Sequence, residues 1–412
     1  MKALVLAGGF PQIALIQELK SRGITTVLAD YNSNPVAKEY CDIFYQKSTQ
    51  DAEAIENIAK NENIDFLITV CSEQAIQMVA LVSEKLGLPC YIDYTTIKNA
   101  TNKEYMKKVF KQIGIPNARS IILHGDEQIG DQYFNFPIIV KPADCSGSSG
   151  VRKVWNDEEL HLAISDAKKM SKTSTVIVEE FLSGLEISVD ALVIEGKAHV
   201  VCITNSEKIA DDGRFVIYRG NYPALENESL IRPEIERIIQ NIAGVFGLKN
   251  SPMLAQMIYA NGKLYVLEFS ARTGGSAKYL LAKKSCGIDL IKAVVDITLG
   301  IKPIIGEIKS ENNYISNEYL YCRPGVFDRL EGFDALKKEG IISEYYQFKW
   351  QNIVTKDICH SGDRIAGFTI QADTKSEMHR KHHMAMSRIR ILDIDGKDML
   401  RKDLLGDLYG EQ

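Results

Sequence analysis

The sequence predicts a mixed fold, α/β in its first hundred residues and α+β over the remainder. Strand and helix patterns alternate from residue 2 to residue 100, which is typical of a small doubly wound parallel sheet. Farther along the chain, Asn261 and Gly262 separate two apolar runs, and this pattern is a strong signal for a tight antiparallel hairpin. A chain of 412 residues is long enough for two or three domains.

The N-terminal part contains short apolar runs that end in turn residues. The sequence Gly8-Gly9-Phe10-Pro11 follows the first run and lacks the GxGxxG pattern, which argues against a nicotinamide dinucleotide site. Asp30 is therefore predicted to be a strand-end or capping residue. The loops at 8–11, 30–35 and 71–74 are expected to open toward one crevice. The predicted strands are residues 3–7, 25–29 and 64–70. One predicted helix begins at Pro11, and two others span residues 51–60 and 73–86.

Composition excludes several classes of protein. A net charge of −5 gives no electrostatic footprint for nucleic acid or an acidic membrane surface, and no apolar run is long enough to span a bilayer. The eight cysteines form no CxxC pair, so neither a zinc site nor a disulfide framework is indicated. The start MKALVLAGG is broken by glycine too early for a signal peptide. A cytoplasmic location with reduced thiols is expected.

Two lysines and a small-residue loop predict a phosphate site. Lys103 lies in the first turn of an amphipathic helix at 102–113, and Lys141 ends a strand at 136–141. The loop that follows can offer successive backbone N–H groups to an anion, and it leads into another strand at 152–155. The alternatives are a solvated Lys103 and a mobile surface loop. The loop residues are Ser146, Gly147, Ser148, Ser149, Gly150 and Val151.

The segment EEFLSGLE follows a predicted strand at 175–178. An extended edge there could offer backbone groups to an adenine ring, and Glu186 could bind a ribose, although a solvated strand edge is the alternative. The residues concerned are Glu179, Glu180, Phe181, Leu182 and Glu186.

The predicted hairpin pairs residues 254–260 with residues 263–269. Residues two apart in a strand share a face, so Glu268, Ser270 and Arg272 point the same way. Gln256 can reach that face from the partner strand. A carboxylate, neutral oxygens and a guanidinium together suggest a Mg²⁺-phosphate site, with a solvated face and a salt bridge as the alternative.

In this order, Lys103, Lys141, SGSSGV, EEFLSGLE, Gln256 and EFSARTGG resemble the ATP-grasp superfamily of ligases. The resemblance implies an N-terminal pre-ATP-grasp sheet at 1–100, followed by a two-lobed ATP-grasp domain. Residues 101–185 would form the small lobe with its phosphate flap, and residues 186–310 the large lobe with the metal site. Residues 311–412 look like the C-terminal part of carboxylate–amine (L-amino-acid) ligases, packing on the large lobe.

The resemblance also implies roles for individual residues. Lys103 and Lys141 would hold ATP phosphates while the loop at 146–151 closes over them. Glu179, Glu180 and the Phe181-Leu182 backbone would bind adenine, with Glu186 on the ribose. Two metal ions, Mg²⁺ or Mn²⁺, would be bound by Gln256, Glu268 and Ser270. Arg272 would contact the transferred phosphoryl group.

Two of these metal positions depart from the family pattern Glu-x-Asn-x-Arg. Ser270 replaces the asparagine and could ligate through water, which Mg²⁺ accepts. Gln256 stands where many members have an acidic ligand, but it resembles carbamoyl phosphate synthetase, whose metal site tolerates glutamine.

Substrate residues are harder to assign from the sequence. Residues 206–223 look like an irregular, charged lid on which Lys208 and Arg219 could contact an acid, although solvation is the simpler interpretation. Gly274 and Gly275 could line the pocket or form a turn before a helix at 277–283. Either Arg323 or Arg364 could bind a carboxylate, and Arg323 is favoured. The histidines of a basic helix, His379, His382 and His383, are predicted to be solvated.

The leading hypothesis is an ATP- and Mg²⁺-dependent carboxylate–amine ligase. It would form an amide or peptide bond through an acyl phosphate and release ADP and phosphate. Its partners would be a small-molecule carboxylate and an amine, and the resemblance is compatible with a homodimer. The alternatives are an acyl-phosphate ligase of purine or carbamoyl metabolism and a nucleotide-binding regulator without turnover.

Overall fold

The computed structural model describes residues 1–129, 134–145, 147–209, 215–306 and 314–405. Ser146 of the predicted flap and residues 210–214 of the predicted lid lie outside this part of the chain. Among the described helices, none is both long enough and apolar enough to cross a membrane.

The N-terminal part is a parallel four-stranded sheet with helices around it, as predicted. Its strands are β1 (Lys2–Leu6), β2 (Thr25–Asp30), β3 (Ile43–Gln46) and β4 (Phe66–Ile68), in the order β3-β2-β1-β4. Its helices are α1 (Phe10–Ser21), α2 (Ala52–Asn61), α3 (Glu73–Leu86) and α4 (Tyr94–Thr101). The predicted strands are confirmed, but β3 was missed because its apolar run, Ile43 to Tyr45, is too short to show a strand period.

The carboxyl end of β2 shows why Asp30 is not a ribose ligand. Its carboxylate accepts the Gly8 N–H at 2.7 Å and the Asn32 N–H at 2.7 Å. A Cβ at Gly8 would lie 2.6 Å from Pro35 Cβ, so glycine is required for this close approach. The strand-end prediction for Asp30 is confirmed.

A second sheet is antiparallel. Three of its strands lie between the helices α5 (Lys103–Gln112) and α6 (Asp157–Met170) in the sequence, and the fourth follows α6. Its strands are β5 (Ser120–His124), β6 (Ile138–Pro142), β7 (Arg152–Val154) and β8 (Thr175–Glu180), in the order β5-β8-β6-β7. The loop at 146–151 therefore joins two hydrogen-bonded neighbours, β6 and β7, as the sequence predicted.

The third sheet has eight antiparallel strands. They are β9 (Leu185–Ile194), β10 (Lys197–Lys208), β11 (Ile217–Tyr222), β12 (Ser251–Ala260), β13 (Lys263–Ser270), β14 (Tyr314–Leu320), β16 (Glu344–Gln347) and β18 (Ala366–Ala372). Their order is β13-β12-β9-β10-β11-β14-β18-β16. Strands from the predicted C-terminal part thus extend the sheet that carries β12 and β13, and the boundaries at 100, 185 and 310 remain predictions.

The remaining elements complete the C-terminal part and cover the large sheet. A three-stranded sheet contains β15 (Gly325–Glu331), β17 (Val354–Thr355) and β19 (Arg390–Asp393). The other helices are α7 (Glu228–Val245), α8 (Lys278–Cys286), α9 (Leu290–Thr298), α10 (Phe333–Lys338) and α11 (Lys375–Arg388). The hairpin β12–β13 is confirmed, since Asn261 and Gly262 adopt φ values of 50° and 75° and Gln256 pairs directly with Glu268.

The predicted irregular lid at 206–223 is wrong for its described residues, because β10 and β11 occupy most of it. Arg219 lies on β11 and is buried, with its Nε 2.6 Å from Glu318 Oε1 on the neighbouring β14. His382 of α11 lies 2.9 Å from the Arg219 guanidinium. The solvated interpretations of Arg219 and His382 are therefore wrong, because strand pairing and helix packing bring the three side chains together.

We expect Glu318→Gln to destabilise the protein by about 3 kcal/mol at neutral pH, because it leaves the Arg219 guanidinium buried without its main partner. Burial raises the pKa of Glu318, but Arg219 and His382 outweigh burial and lower that pKa to about 2. This depressed pKa contributes stability above the unfolded value of 4.5, and the contribution is lost as the pH falls toward 2. Thermal unfolding should show the gap between wild type and variant narrowing over this range. A gap that stays constant with pH would contradict the assignment.

Candidate functional site

A cleft lies between the small antiparallel sheet and the face of the large sheet that carries β9, β12 and β13. The structure brings most of the predicted site residues to its walls. Those that line it are Lys103, Lys141, Gly147, Ser148, Ser149, Val151, Glu179, Glu180, Phe181, Leu182, Glu186, Gln256 and Glu268.

The predicted phosphate end of the cleft is organised by a buried carboxylate, Glu179. Glu179 Oε2 lies 2.8 Å from Lys141 Nζ, and the other oxygen of Glu179 pairs with Lys107. Burial raises the pKa of Glu179, but the two lysines prevail and lower it. Since the Glu179 carboxylate is engaged in this way, it orients the lysines that face the cleft. Lys107 was missed, although it lies one helical turn from Lys103 on the same face of α5.

Lys103 connects the flap to the hairpin. The Asn102 side chain accepts the Tyr105 N–H at 3.0 Å, and this cap starts α5 where Lys103 points into the cleft. The Lys103 ammonium donates to the Cys145 carbonyl at 2.7 Å and lies 3.3 Å from Glu268 Oε2. It therefore links the beginning of the flap to the predicted metal carboxylate.

The predicted metal face is formed by two paired strands. Glu268 of β13 stands directly opposite Gln256 of β12, and Ser270 follows two residues later at the end of β13. Burial raises the pKa of Glu268, but Lys103 and Lys141 outweigh it and lower the pKa, so Glu268 is ionised at neutral pH. Carboxylate, amide and hydroxyl oxygens are ligands that Mg²⁺ accepts alongside water and phosphate. The residues present fit a Mg²⁺ ion.

Arg272 follows the hairpin and meets the N-terminal part. Its guanidinium lies 3.6 Å from Glu73 Oε2 and donates to the Thr273 carbonyl at 2.9 Å. Burial raises the pKa of Glu73, and the positive charge of Arg272 opposes this shift. Glu73 was not predicted as a site residue. It is the first residue of α3 and falls within the segment 71–74, which was expected to open toward the crevice.

A second ion pair lies at the predicted ribose position. Glu186 of β9 pairs with Lys208 of β10, and Gln256 Nε2 lies 3.5 Å from Glu186 Oε1. The Lys208 ammonium lies 4.8 Å from the centre of the Phe215 ring, and both residues line the cleft. The solvated interpretation of Lys208 is therefore wrong.

The predicted adenine segment and flap keep their places around the cleft. Glu180 binds Arg119 at 2.8 Å, and the Phe181 ring lies 3.7 Å from the Lys153 ammonium. In the flap, Gly150 adopts a φ of 73° and would clash with Pro142 if it carried a Cβ. The predicted roles of these residues toward a nucleotide remain predictions.

The four predicted substrate residues are not all brought together. Gly274 lies two residues after Arg272, and its N–H donates to Asp190 Oδ1 at 2.9 Å. A Cβ added at Gly275 would have no atom within 4 Å. Arg219 has its guanidinium engaged by the buried network on β11 and β14. Arg323 is exposed and binds Asp403 at 3.3 Å and the Leu400 carbonyl at 3.2 Å. The structure therefore gives Arg219 and Arg323 other partners.

Comparison with known proteins agrees with this geometry. Residues 134–279 match the sequence family described as the ATP-grasp domain. Residues 134–279 are an ATP-grasp domain. This domain contains Lys141, most of the cleft wall and the whole β12–β13 hairpin.

The curated relatives that this chain matches include carbamoyl phosphate synthase large chains. That of Clostridium beijerinckii is 21% identical over 309 residues, which cover 71% of this chain and 27% of the relative. The C-terminal section from Methanocaldococcus jannaschii is 26% identical over 353 residues, covering 79% of this chain and 55% of the relative. The chain is homologous to these proteins but spans about a quarter to a half of their length.

Solved ATP-grasp structures share the fold. The L-amino acid ligase from Bacillus licheniformis superposes with a TM-score of 0.78 at 20% identity, covering 95% of this chain and 98% of that one. The biotin carboxylase domain of the Hydrogenobacter thermophilus 2-oxoglutarate carboxylase was solved with MgADP. It superposes with a TM-score of 0.76 at 18% identity, covering 95% of this chain and 90% of that one.

We expect Lys141→Met to weaken ATP binding by about 10-fold or more, because one charge-assisted contact to phosphate is lost. The removal also leaves Glu179 with Lys107 alone. Isothermal titration with ATP would measure the effect, and Lys169→Met, at an exposed position of α6, serves as the matched control. Equal affinities in the two variants would remove Lys141 from the phosphate site.

Proposed function

We propose that this protein is an ATP- and Mg²⁺-dependent ligase that joins a small-molecule carboxylate to an amine. The observation that carries the proposal is the position of Lys103, which contacts both the Cys145 carbonyl at the flap and the Glu268 carboxylate of the hairpin. Lys103, Lys141, Gln256 and Glu268 line one cleft, and Arg272 lies two residues after the end of β13.

Each part of the cleft has a chemical task in this proposal. Lys103 and Lys141 hold the ATP phosphates, and Gln256, Glu268 and Ser270 would hold Mg²⁺. Bound Mg²⁺ supplies charge neutralisation and in-line orientation of the phosphates. Arg272 stabilises the γ-phosphoryl group as it moves, and the loop at 146–151 excludes water, which would hydrolyse the product.

The reaction has two steps. A substrate carboxylate oxygen forms a bond to the γ-phosphorus while the bond to the β-phosphate oxygen breaks, giving an acyl phosphate and ADP. The amine nitrogen then bonds to the acyl carbon, the carbon–oxygen bond to phosphate breaks, and the amine loses a proton to solvent. We expect the reaction in the cytosol, where the eight free thiols stay reduced. A homodimer is compatible with the proposal.

Phosphate release from ATP and Mg²⁺ tests the proposal. Pools of amino acids and other acids are combined with pools of amines, and each pool is also assayed alone. Release that requires an acid and an amine together is the expected result. Binding of ATP without release in any pool would instead identify a nucleotide-binding regulator.

A second candidate, a ligase of carbamoyl metabolism, is favoured by the relatives named above. It makes a different prediction in the same assay, because release would then follow the addition of bicarbonate and ammonia rather than of amino acids. A parallel arm with bicarbonate, ammonia and purine-pathway amines separates the two candidates.

A further inference from the structure

Arg364 is a buried arginine without an acidic partner. Only 8% of its surface is exposed, and its guanidinium carbon lies 4.2 Å from the centre of the Tyr319 ring and 5.6 Å from that of Phe348. Its Nε donates to the Ser361 carbonyl, and no carboxylate of the described residues lies at ion-pair distance. Since buried charges are normally paired, a guanidinium in this position indicates an anionic ligand.

Lys278, at the start of α8, is a second buried cation. The preceding residue, Ala277, accepts a hydrogen bond at 2.8 Å from Asn317 on β14, the strand that carries Tyr319. Its ammonium donates to Ser188 Oγ, and within the described part of the chain no carboxylate lies at ion-pair distance from it. Burial lowers the pKa of Lys278, Asp190 opposes this shift, and the charges of Arg272 and Arg364 lower it further. Lys278 therefore interacts electrostatically with both arginines.

Two hydroxyl groups add further donors. The Tyr319 hydroxyl and the Ser276 hydroxyl are buried, and neither has a hydrogen-bond partner of good geometry among the described residues. Burial raises the pKa of Tyr319, and the nearby Arg364, Ser276 and Asn317 side chains oppose this rise. An unsatisfied buried hydroxyl costs free energy, so a ligand that accepts hydrogen bonds would be stabilised here. Two cations and two hydroxyls match the oxygen atoms of a carboxylate.

The position of the cluster connects it to the cleft. Phe348, which packs beside Arg364, contacts the Phe10 ring at 5.5 Å, and Phe10 begins α1 directly after the loop that follows β1. The Cys71 N–H donates to Thr273 Oγ1 at 3.2 Å, next to Arg272. The cluster thus lies where loops at the carboxyl ends of the parallel strands meet the large sheet, which is where ligands bind in such folds.

We propose that Arg364 and Lys278 bind a substrate carboxylate other than the one that is phosphorylated. The inference rests on the proposed ligase function, in which the reacting carboxylate lies beside Arg272 and the metal face. The second carboxylate belongs either to an amino acid that acts as the amine or to a dicarboxylic acid. The sequence favoured Arg323 for such a role, whereas the structure favours Arg364 because Arg323 is exposed and paired with Asp403.

Thermal shift titrations in the presence of MgADP test this site without requiring turnover. The probes are the standard L-amino acids with their α-amides, and succinate with its monoamide. Wild type should be stabilised by at least one free acid and much less by the corresponding amide. Amino acids as the stabilising probes would identify the amine as the source of the carboxylate, and succinate would identify a dicarboxylic acid.

Three variants define the contribution of each cation. Arg364→Met and Lys278→Met should each raise the apparent Kd of the stabilising acid by about 30-fold or more, while MgADP still stabilises them. The matched control Arg323→Met should bind the acid as wild type does. If Arg364→Met does not fold, Arg364→Lys replaces it, since it keeps the charge but loses the bidentate fork.

The outcomes separate this inference from the proposed function. The carboxylate site would be overturned if no acid stabilised wild type, or if wild type and both Met variants bound the acid with equal affinity. Either result would count against the site even if an acid and an amine together drove phosphate release. Loss of acid binding in the Arg364 and Lys278 variants supports the site, and absence of phosphate release with every pair would then count against the ligase proposal alone.

Discussion

Glu268→Gln is expected to reduce ADP formation by about 10³-fold in the substrate pair that supports turnover, because the only carboxylate among the predicted metal ligands is lost. The side chain keeps its size, and the Lys103 ammonium retains its hydrogen bond to the Cys145 carbonyl. The variant should therefore stay folded. ADP formation measured against Mg²⁺ concentration would show a weakened dependence on the metal.

The matched control for this experiment is Glu339→Gln, which removes a surface carboxylate paired with Arg388. It should form ADP at the wild-type rate. Full activity of Glu268→Gln at ordinary Mg²⁺ concentrations would contradict the assignment of Glu268 as a metal ligand, whatever the substrate is.

Arg272→Met is expected to lower kcat by about 10³-fold, because an arginine that stabilises a moving phosphoryl group acts mainly in the transition state. The affinity for ATP should change little, since Lys103 and Lys141 would hold the phosphates in the ground state. Initial rates of ADP formation give kcat, and titration with ATP gives the binding constant. The two measurements together distinguish a transition-state role from a binding role.

Arg272 also pairs with the largely buried Glu73, so the double variant Arg272→Met with Glu73→Gln is a useful companion. If Arg272→Met loses activity only because Glu73 is left unpaired, the double variant should recover most of the rate. Recovery would contradict a direct role of Arg272 in phosphoryl transfer, and continued loss would support it.

Most of the fold and part of the site followed from local patterns. The alternation of strands and helices and the Asn261-Gly262 turn depend on periodicity and backbone preference over short segments, and both predictions are confirmed. The register that places Gln256 opposite Glu268 follows from the same turn. The short strand β3 was missed because its four residues show no clear alternation of apolar and polar side chains.

Charged side chains were the main source of error. Arg219, His382 and Lys208 were interpreted as solvated because single basic residues usually are. In the structure Arg219 and His382 meet Glu318 from elements that are far apart in sequence, and Lys208 meets Glu186 on the neighbouring strand of the β9–β10 hairpin. Solvation depends on those long-range partners, and the local sequence does not contain them.

The sequence by itself determined the order of the motifs, the parallel N-terminal sheet and the hairpin with Glu268, because each of these is encoded within a few turns or strands of chain. Only the tertiary structure decided that Glu73 pairs with Arg272 and that Lys107 pairs with Glu179. It also decided that Arg364, rather than Arg323, is buried with no acidic partner among the described residues. The physical reason is that burial and pairing of a charge are properties of the packed assembly of segments.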